Sequence, residues 1–296
     1  MPLIRAATIT VEDLKRSQAA YCKWLNYKTG ERGDVSEDLA ASWGAPNTAG
    51  QPYCVLQPAS KAPVYLRLIE QPVKEDYEPL RTYGWAAIEI CNQDTLAVNA
   101  RMEKSPFEII GPPKELDGMP AIFPTQVKGL DKEIVYLTEI RADMLEYDLP
   151  RANSLVDRLF ILVMACSNME KTGQWLEDHM LIKKGRSIEI VYSMINNAFD
   201  LPANTKHALV TLKHKRDVFL EIDQYPKGAT SRASHEGMLP PCAAIGSFIH
   251  PEFEKLLEAN KGQWVTRPIH RDGVVYKGKR AGTLRDPDGT LIEMIE

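Results

Sequence analysis

Four copies of one pattern run through the chain, and an internal repeat limits the fold more tightly than any single element can. "ATITVEDLKRSQAAYCKWL" reads as an alternating strand, an Asp13 cap and a helix carrying Leu14, Tyr21, Trp24 and Leu25 on one stripe. "LFILVMACSNMEKTGQWLEDHM" repeats that plan, with a polar break at Ser167-Asn168 and a helix bearing Trp175 and Leu176. "YGWAAIEICNQDTLAVNARM" and "PPCAAIGSFIHPEFEKLLEA" match each other through a shared Ala-Ala-Ile, a turn and a short helix. Two or three extended runs follow each helix. "VYLRLIEQP" and "VFLEIDQYP" close the first and third units, and "IVYLTEIRAD" and "GTLIEMIE" close the second and fourth. The least patterned connection, "RADMLEYDLPRANS", sets a boundary near Pro150 and predicts two domains of two units each, 1–148 and 149–296.

Composition narrows the function classes. At 296 residues and 44% hydrophobic content the chain is long enough for a sizeable core and two domains. A formal net charge of -4 without a basic tract argues against nucleic acid as a partner. No apolar run reaches a membrane span, and charges interrupt "MPLIRAATITVEDLKRS" before any signal-peptide core, so a soluble, cytoplasmic protein is expected. The five cysteines are odd in number and never in a CxxC pair, which suggests neither a disulfide framework nor a zinc cage. Phosphate-binding glycine loops, nucleophile elbows and HExxH are absent from the sequence.

Four strand-helix-three-strand units predict an α+β chain. With the closing "RDPDGTLIEM" and the opening "ITVEDLKRSQAAYCKWL", the pattern resembles the vicinal oxygen chelate superfamily, which includes glyoxalase I, the bleomycin-resistance proteins and the extradiol dioxygenases. The resemblance implies βαβββ units curled in pairs into half-barrels around a substrate pocket. It also implies a divalent metal held by a first-strand residue, usually His, and a last-strand Glu of each unit. Counting seven residues back from each polar break, and matching "WAAIEI" to "CAAIGS", places the first-strand positions at Ala6, Trp85, Ile161 and Cys242. The last-strand positions are Arg67, Glu139, Glu221 and Glu293. The family's histidines are therefore missing. Arg67 and Glu139 are expected to form a neutral pair filling an N-terminal pocket of structural role. Glu221, Glu293 and Cys242 are the ligands left for iron, manganese, nickel or zinc, and the sequence disfavours such a site. The extradiol closing motif is also incomplete, because Thr283 stands where its Tyr would, and His270 and Tyr276 lie too far upstream.

Glu293, flanked by apolar residues in "TLIEMIE", poses the sharpest question, since a strand gains nothing by burying a lone carboxylate. If Glu221 and Glu293 share one apolar pocket, both cannot ionise, and the pair splits into an acid and a base. Within the resemblance, these positions match the glutamates with which glyoxalase I moves protons. All six histidines lie in the second half. His207 and His235, with Cys242 and Tyr276, are the candidate substrate contacts, whereas His179 and His250 read as structural. Lys277, Lys279 and Arg280 form a basic cluster suited to an anionic tail, and the Pro- and Gly-rich stretch 109–131 reads as a rim. The leading expectation is an isomerase or lyase acting on an aromatic or dicarbonyl catabolite by carboxylate-mediated proton transfer. A sequestering protein of bleomycin-resistance type and a divergent metal-dependent ring-cleavage dioxygenase are the alternatives. The expected partner is a small molecule, with a homodimer allowed and neither nucleic acid nor membrane involved.

Overall fold

A computed structural model describes residues 3–116 and 118–296; Asp117, inside the expected rim, and the first two residues lie outside the described part. The four units are all present. The first is β1 (Ile4–Val11), α1 (Leu14–Trp24), β2 (Tyr27–Asp34), the short α2 (Glu37–Ser42), β3 (Pro52–Pro58) and β4 (Tyr65–Glu70). The second is β5 (Gly84–Asn92), α3 (Thr95–Met102), β6 (Glu108–Gly111), β7 (Ile122–Lys128) and β8 (Ile134–Ile140). The third is β9 (Val156–Cys166), α4 (Met169–Met180), β10 (Lys183–Val191), the short α5 (Ser193–Ala198), β11 (Lys206–His214) and β12 (Asp217–Gln224). The fourth is β13 (Cys242–Ile249), α6 (Phe253–Ala259), β14 (Ile269–His270), β15 (Arg280–Arg285) and β16 (Leu291–Ile295).

The same local chemistry starts the helix in three of the units. Asp13, Asp94 and Asn168 each leave a strand in extended backbone and accept a hydrogen bond from the N–H three residues on. α6 has no such side-chain cap. In every unit the first and last strands pair in parallel: β1 with β4, β5 with β8, β9 with β12 and β13 with β16.

The pairing between units departs from the sequence reading. The two eight-stranded sheets run β14-β15-β16-β13-β1-β4-β3-β2 and β10-β11-β12-β9-β5-β8-β7-β6. Thus the first unit joins the fourth through antiparallel β1 and β13, and the second joins the third through β5 and β9. Each sheet draws on both sides of Pro150, so 1–148 and 149–296 are not separate half-barrels. The reason is geometric: the first strand of every unit offers an equivalent free edge, and the pattern within a unit does not say which edge it meets.

Strand alternation then divides the side chains between two environments. Ala7, Ile9 and Val11 of β1, Ile88 and Ile90 of β5, Leu162 and Met164 of β9 and Ile292 and Met294 of β16 enter one large core, together with helix residues such as Tyr21, Leu176 and Leu256. Trp85 and Phe248 meet within this core with ring centroids 6.0 Å apart, and the Trp85 indole donates to the Leu291 carbonyl at 2.8 Å. The opposite face of each sheet lines a hollow of its own, where Thr8, Arg67, Ser247 and Glu293 of one sheet and Glu89 and Thr138 of the other are buried. Among the described residues no helix is long and apolar enough to cross a membrane.

Candidate functional site

The hollow of the β1–β13 sheet has a polar floor built around Glu293, whose side chain is 1% exposed. Trp43 and Tyr276 donate to its Oε1, each at 2.8 Å, while Ser247 donates to Oε2 at 2.6 Å. Arg67, 2% exposed, reaches Oε2 through Nη2 at 3.3 Å. Its other nitrogens donate to the Tyr276 hydroxyl at 2.6 Å and to Thr8 Oγ1 at 2.9 Å, and its guanidinium lies 4.5 Å from the Trp43 ring centroid. Burial alone would raise the Glu293 pKa, but the Arg67 charge and the donors from Ser247, Trp43 and Tyr276 outweigh it and hold the carboxyl below its ordinary range. This explains the acid in "TLIEMIE": it is an ionised carboxylate with an internal counter-ion and a full set of donors.

Arg67 therefore forms a buried ion pair in this hollow, but its acid is Glu293 and not Glu139, and the pair does not fill the space: a cavity of about 520 Å³ bordered by Trp43, Tyr53, Arg67 and Tyr276 remains. Glu139 follows Thr138 on β8 and turns to the other face, where it accepts from the Thr95 amide at 3.2 Å and pairs with Arg141 at 3.3 Å. Glu293 and Glu221 do not share a pocket either, since they stand in different sheets.

The hollow of the β5–β9 sheet is open. It holds a cavity of about 490 Å³ with mostly apolar walls, including Phe160, Ile161 and Leu209, and the carboxyls of Glu89 and Glu221 both border it. Glu89 is 8% exposed and accepts from Thr138 Oγ1 at 2.6 Å. Burial pushes its pKa up to about 8; the Thr138 hydrogen bond works against this and the negative charge of Glu221 adds to it. Glu221 is raised well above the ordinary carboxyl range, by burial first and then by Asp223, its neighbour two residues on along the same face of β12. Asp223, 1% exposed, is also raised by burial, and its Oδ1 has no hydrogen-bond partner among the described residues. The hydroxyls of Tyr136 and Tyr192, 2.8 Å apart, belong to the polar part of the wall.

The remaining sequence candidates lie elsewhere. His207 is buried against Asn196, its Nε2 at 2.6 Å from Oδ1, and burial lowers its pKa. His235 contacts the Val73 carbonyl at 2.9 Å near the surface. Cys242 sits at the start of β13 with φ 63°, donates to the Asp131 carbonyl at 2.8 Å, and is driven toward the neutral thiol by burial. Tyr276 belongs to the Arg67–Glu293 network. Arg280 is paired with Glu296 at 3.0 Å and with Glu254, so it is not available to an anion as the sequence suggested. Of the stretch 109–131, Ile110, Pro112, Lys114 and Met119 border the cavity, so part of the expected rim is a wall.

Glu89 escaped the sequence reading. The count of seven residues back from Asn92 selected Trp85, which enters the shared core, whereas the position five residues before the helix-capping residue faces the hollow: Thr8 before Asp13, Glu89 before Asp94, Val163 before Asn168 and Ser247 before Glu252. The signal was present, since Glu89 in "WAAIEICN" is an acid between apolar neighbours, as Glu293 is.

A divalent metal does not fit either hollow. In the first, the Arg67 guanidinium stands against the Glu293 carboxylate. In the second, Glu89, Glu221 and the Arg141-paired Glu115 border the cavity without an imidazole, and among the described residues no group of three or more His, Cys, Asp or Glu is placed to hold an ion.

No family model and no curated protein matches the sequence. Among solved structures, glyoxalase I from Zea mays superposes with a TM-score of 0.65 at 15% identity, over 99% of this chain and 92% of that one. A proposed dioxygenase from Bacillus subtilis subsp. subtilis strain 168 gives 0.64 at 11% identity, over 99% and 84%. With four βαβββ units in two curved sheets, the chain has the vicinal oxygen chelate fold. At these identities the likeness extends to the fold and no further.

Proposed function

We propose that the β5–β9 hollow of this vicinal oxygen chelate fold is an enzyme site that moves protons on a small, largely apolar aromatic or dicarbonyl compound, in reactions of isomerase or lyase type. One observation carries the reading: the carboxyls of Glu89 and Glu221 open on the same apolar cavity. Two acids in a low-dielectric wall do not ionise together, so the pair passes through a singly protonated state that holds both a donor and an acceptor. In that state the ionised carboxylate takes the proton from a carbon next to the substrate carbonyl, and the protonated one delivers a proton to the carbonyl oxygen. From the enol, the now protonated Glu89 gives its proton back to a carbon of the enol while the Glu221 carboxylate takes an O–H proton, so both carboxyls regain their starting states. Glu89 fits the base, with a pKa of about 8. Glu221 fits the acid, because Asp223 beside it opposes its ionisation. The Tyr136 and Tyr192 hydroxyls are placed to orient an oxygen of the ligand.

Proton exchange tests this directly. The purified protein is incubated in deuterated buffer with a panel of 1,2-dicarbonyl and aromatic ketone compounds, and loss of the C–H signal is followed by NMR. Exchange should quicken as pH rises toward 8, where Glu89 ionises, and Glu89→Gln should slow it by roughly 100-fold or more with the fold intact. Wild-type exchange in well-folded Glu89→Gln overturns the mechanism. Tight binding of panel compounds without any exchange assigns the cavity to ligand sequestration.

A further inference from the structure

Beside the β5–β9 cavity runs an open groove bordered by Tyr147, Lys184, Arg186, Lys213 and Arg216, with Glu146 as its acid. Tyr147 and Arg186 border both spaces, so the groove continues the mouth of the cavity. Its geometry comes from the β10–β11 pair. There the register slips between Lys184 and Ser187, and the bulge brings Arg186 to the mouth. The Tyr147 hydroxyl accepts from the Arg186 amide at 3.1 Å and fixes the bulge.

The cations of the groove are not equivalent. Lys184 is paired with Glu177 at 3.6 Å and Arg216 with Asp148 at 2.8 Å. Arg186 and Lys213 have no carboxylate partner among the described residues, and the Lys213 ammonium stands 5.8 Å from the Tyr147 ring centroid. Two uncompensated cations beside an apolar opening favour a bound anion, because each loses like-charge repulsion and gains charge-assisted hydrogen bonds.

We infer that the ligand of this hollow is amphipathic, with an apolar, planar body that fills the cavity and an anionic group held at its mouth by Arg186 and Lys213. The inference rests on reading the hollow as the ligand site, and it adds the charge and its place. A carboxylate, a sulfonate or a phosphate satisfies the same two cations. Carbonyl carbons that react at Glu89 and Glu221 would then belong to a molecule whose far end is charged.

Two fluorescent probes of one shape separate the parts. 1-Anilinonaphthalene-8-sulfonate carries an anion, and N-phenyl-1-naphthylamine is its uncharged counterpart. The sulfonate should bind the wild-type protein about tenfold more tightly than the amine, which corresponds to one charge-assisted contact. That preference should shrink as salt rises. The double variant Arg186→Gln, Lys213→Gln should lose the preference and keep the amine affinity unchanged; circular dichroism would establish that it is folded. Equal binding of the two probes to wild type, or an undiminished preference in the folded double variant, overturns the anionic subsite and leaves the cavity reading standing. Absence of amine binding overturns both. Loss of exchange activity in Glu89→Gln bears only on the chemistry, so the two proposals fail separately.

Discussion

Two buried glutamates in the same fold have opposite electrostatic fates, and their neighbours decide which. Glu293 faces a guanidinium and three neutral donors, so its charge is stable in the interior. Removing only the cation should be costly: Arg67→Met is expected to lower stability by about 3–5 kcal/mol in denaturant melts, because it leaves an unpaired buried charge. The Arg67→Met, Glu293→Gln double variant should recover part of that loss, and strictly additive losses would contradict the pairing. Glu89 has no such cation, and its pKa moves from 4.5 to about 8. Between those values the folded protein holds a proton that the unfolded chain has released. The contribution of Glu89 is therefore fully present below about 4.5 and is lost as pH rises through about 8. Wild-type stability should consequently fall more steeply than that of Glu89→Gln between pH 5 and 9, by on the order of 4 kcal/mol. Parallel stability curves for the two proteins would show that Glu89 is not held neutral by the fold.

At the level of strands and helices, the sequence revealed the units and concealed their register. The Asx caps after the first strands and the closing strand of each unit were legible because they are local, set by one side chain and three residues of backbone. The residues facing the hollows were not, because a fixed count along the strands assumes an unbroken pleat. The antiparallel seams contain register shifts, between Thr8 and Ile9 in β1 and between Trp85 and Ala87 in β5, and a one-residue slip exchanges the two faces. The Arg67–Glu139 and Glu221–Glu293 pairs failed through the exchange of units, which puts Arg67 with Glu293 in one sheet and Glu139 and Glu221 in the other; Glu139 also turns away from the hollow, which Thr138 faces. The seam also explains Gly246 in β13. A Cβ there would lie 2.6 Å from Trp85 Cζ2 and 2.8 Å from Leu162 Cδ1, so β13 packs against side chains of the other sheet with no room for a methyl group. Gly246→Ala should cost about 1–3 kcal/mol by overpacking, read as a lowered thermal midpoint. An unchanged midpoint would mean that the sheets are not pressed together there.

Over the whole molecule, the exchange of units makes the two halves of the chain mutually dependent. β1 finds its partner in β13 and β5 finds its partner in β9, so both sheets have their central seam between residues that lie on either side of Pro150. The shared core is also composed of both halves, with Trp85 packed on Phe248 and the Trp85 indole bonded to Leu291. A fragment 1–148 made alone would carry two half-sheets, each with an unpaired edge where its seam should be, and an apolar face with nothing against it. We expect 1–148 and 149–296, expressed separately, to aggregate or to pair with copies of themselves through those edges. Expressed together, they should form a soluble one-to-one complex that recovers the β5–β9 cavity and its binding of N-phenyl-1-naphthylamine. Size-exclusion chromatography with light scattering distinguishes these states. A monomeric, folded 1–148 with the strand content of its share of the intact protein would show that each half is self-sufficient, and the seams would then be contacts between finished domains. The long sequence separation of the seam pairs, such as Ile4 with Phe248, argues against that outcome, because neither seam can form until both halves of the chain have been brought together.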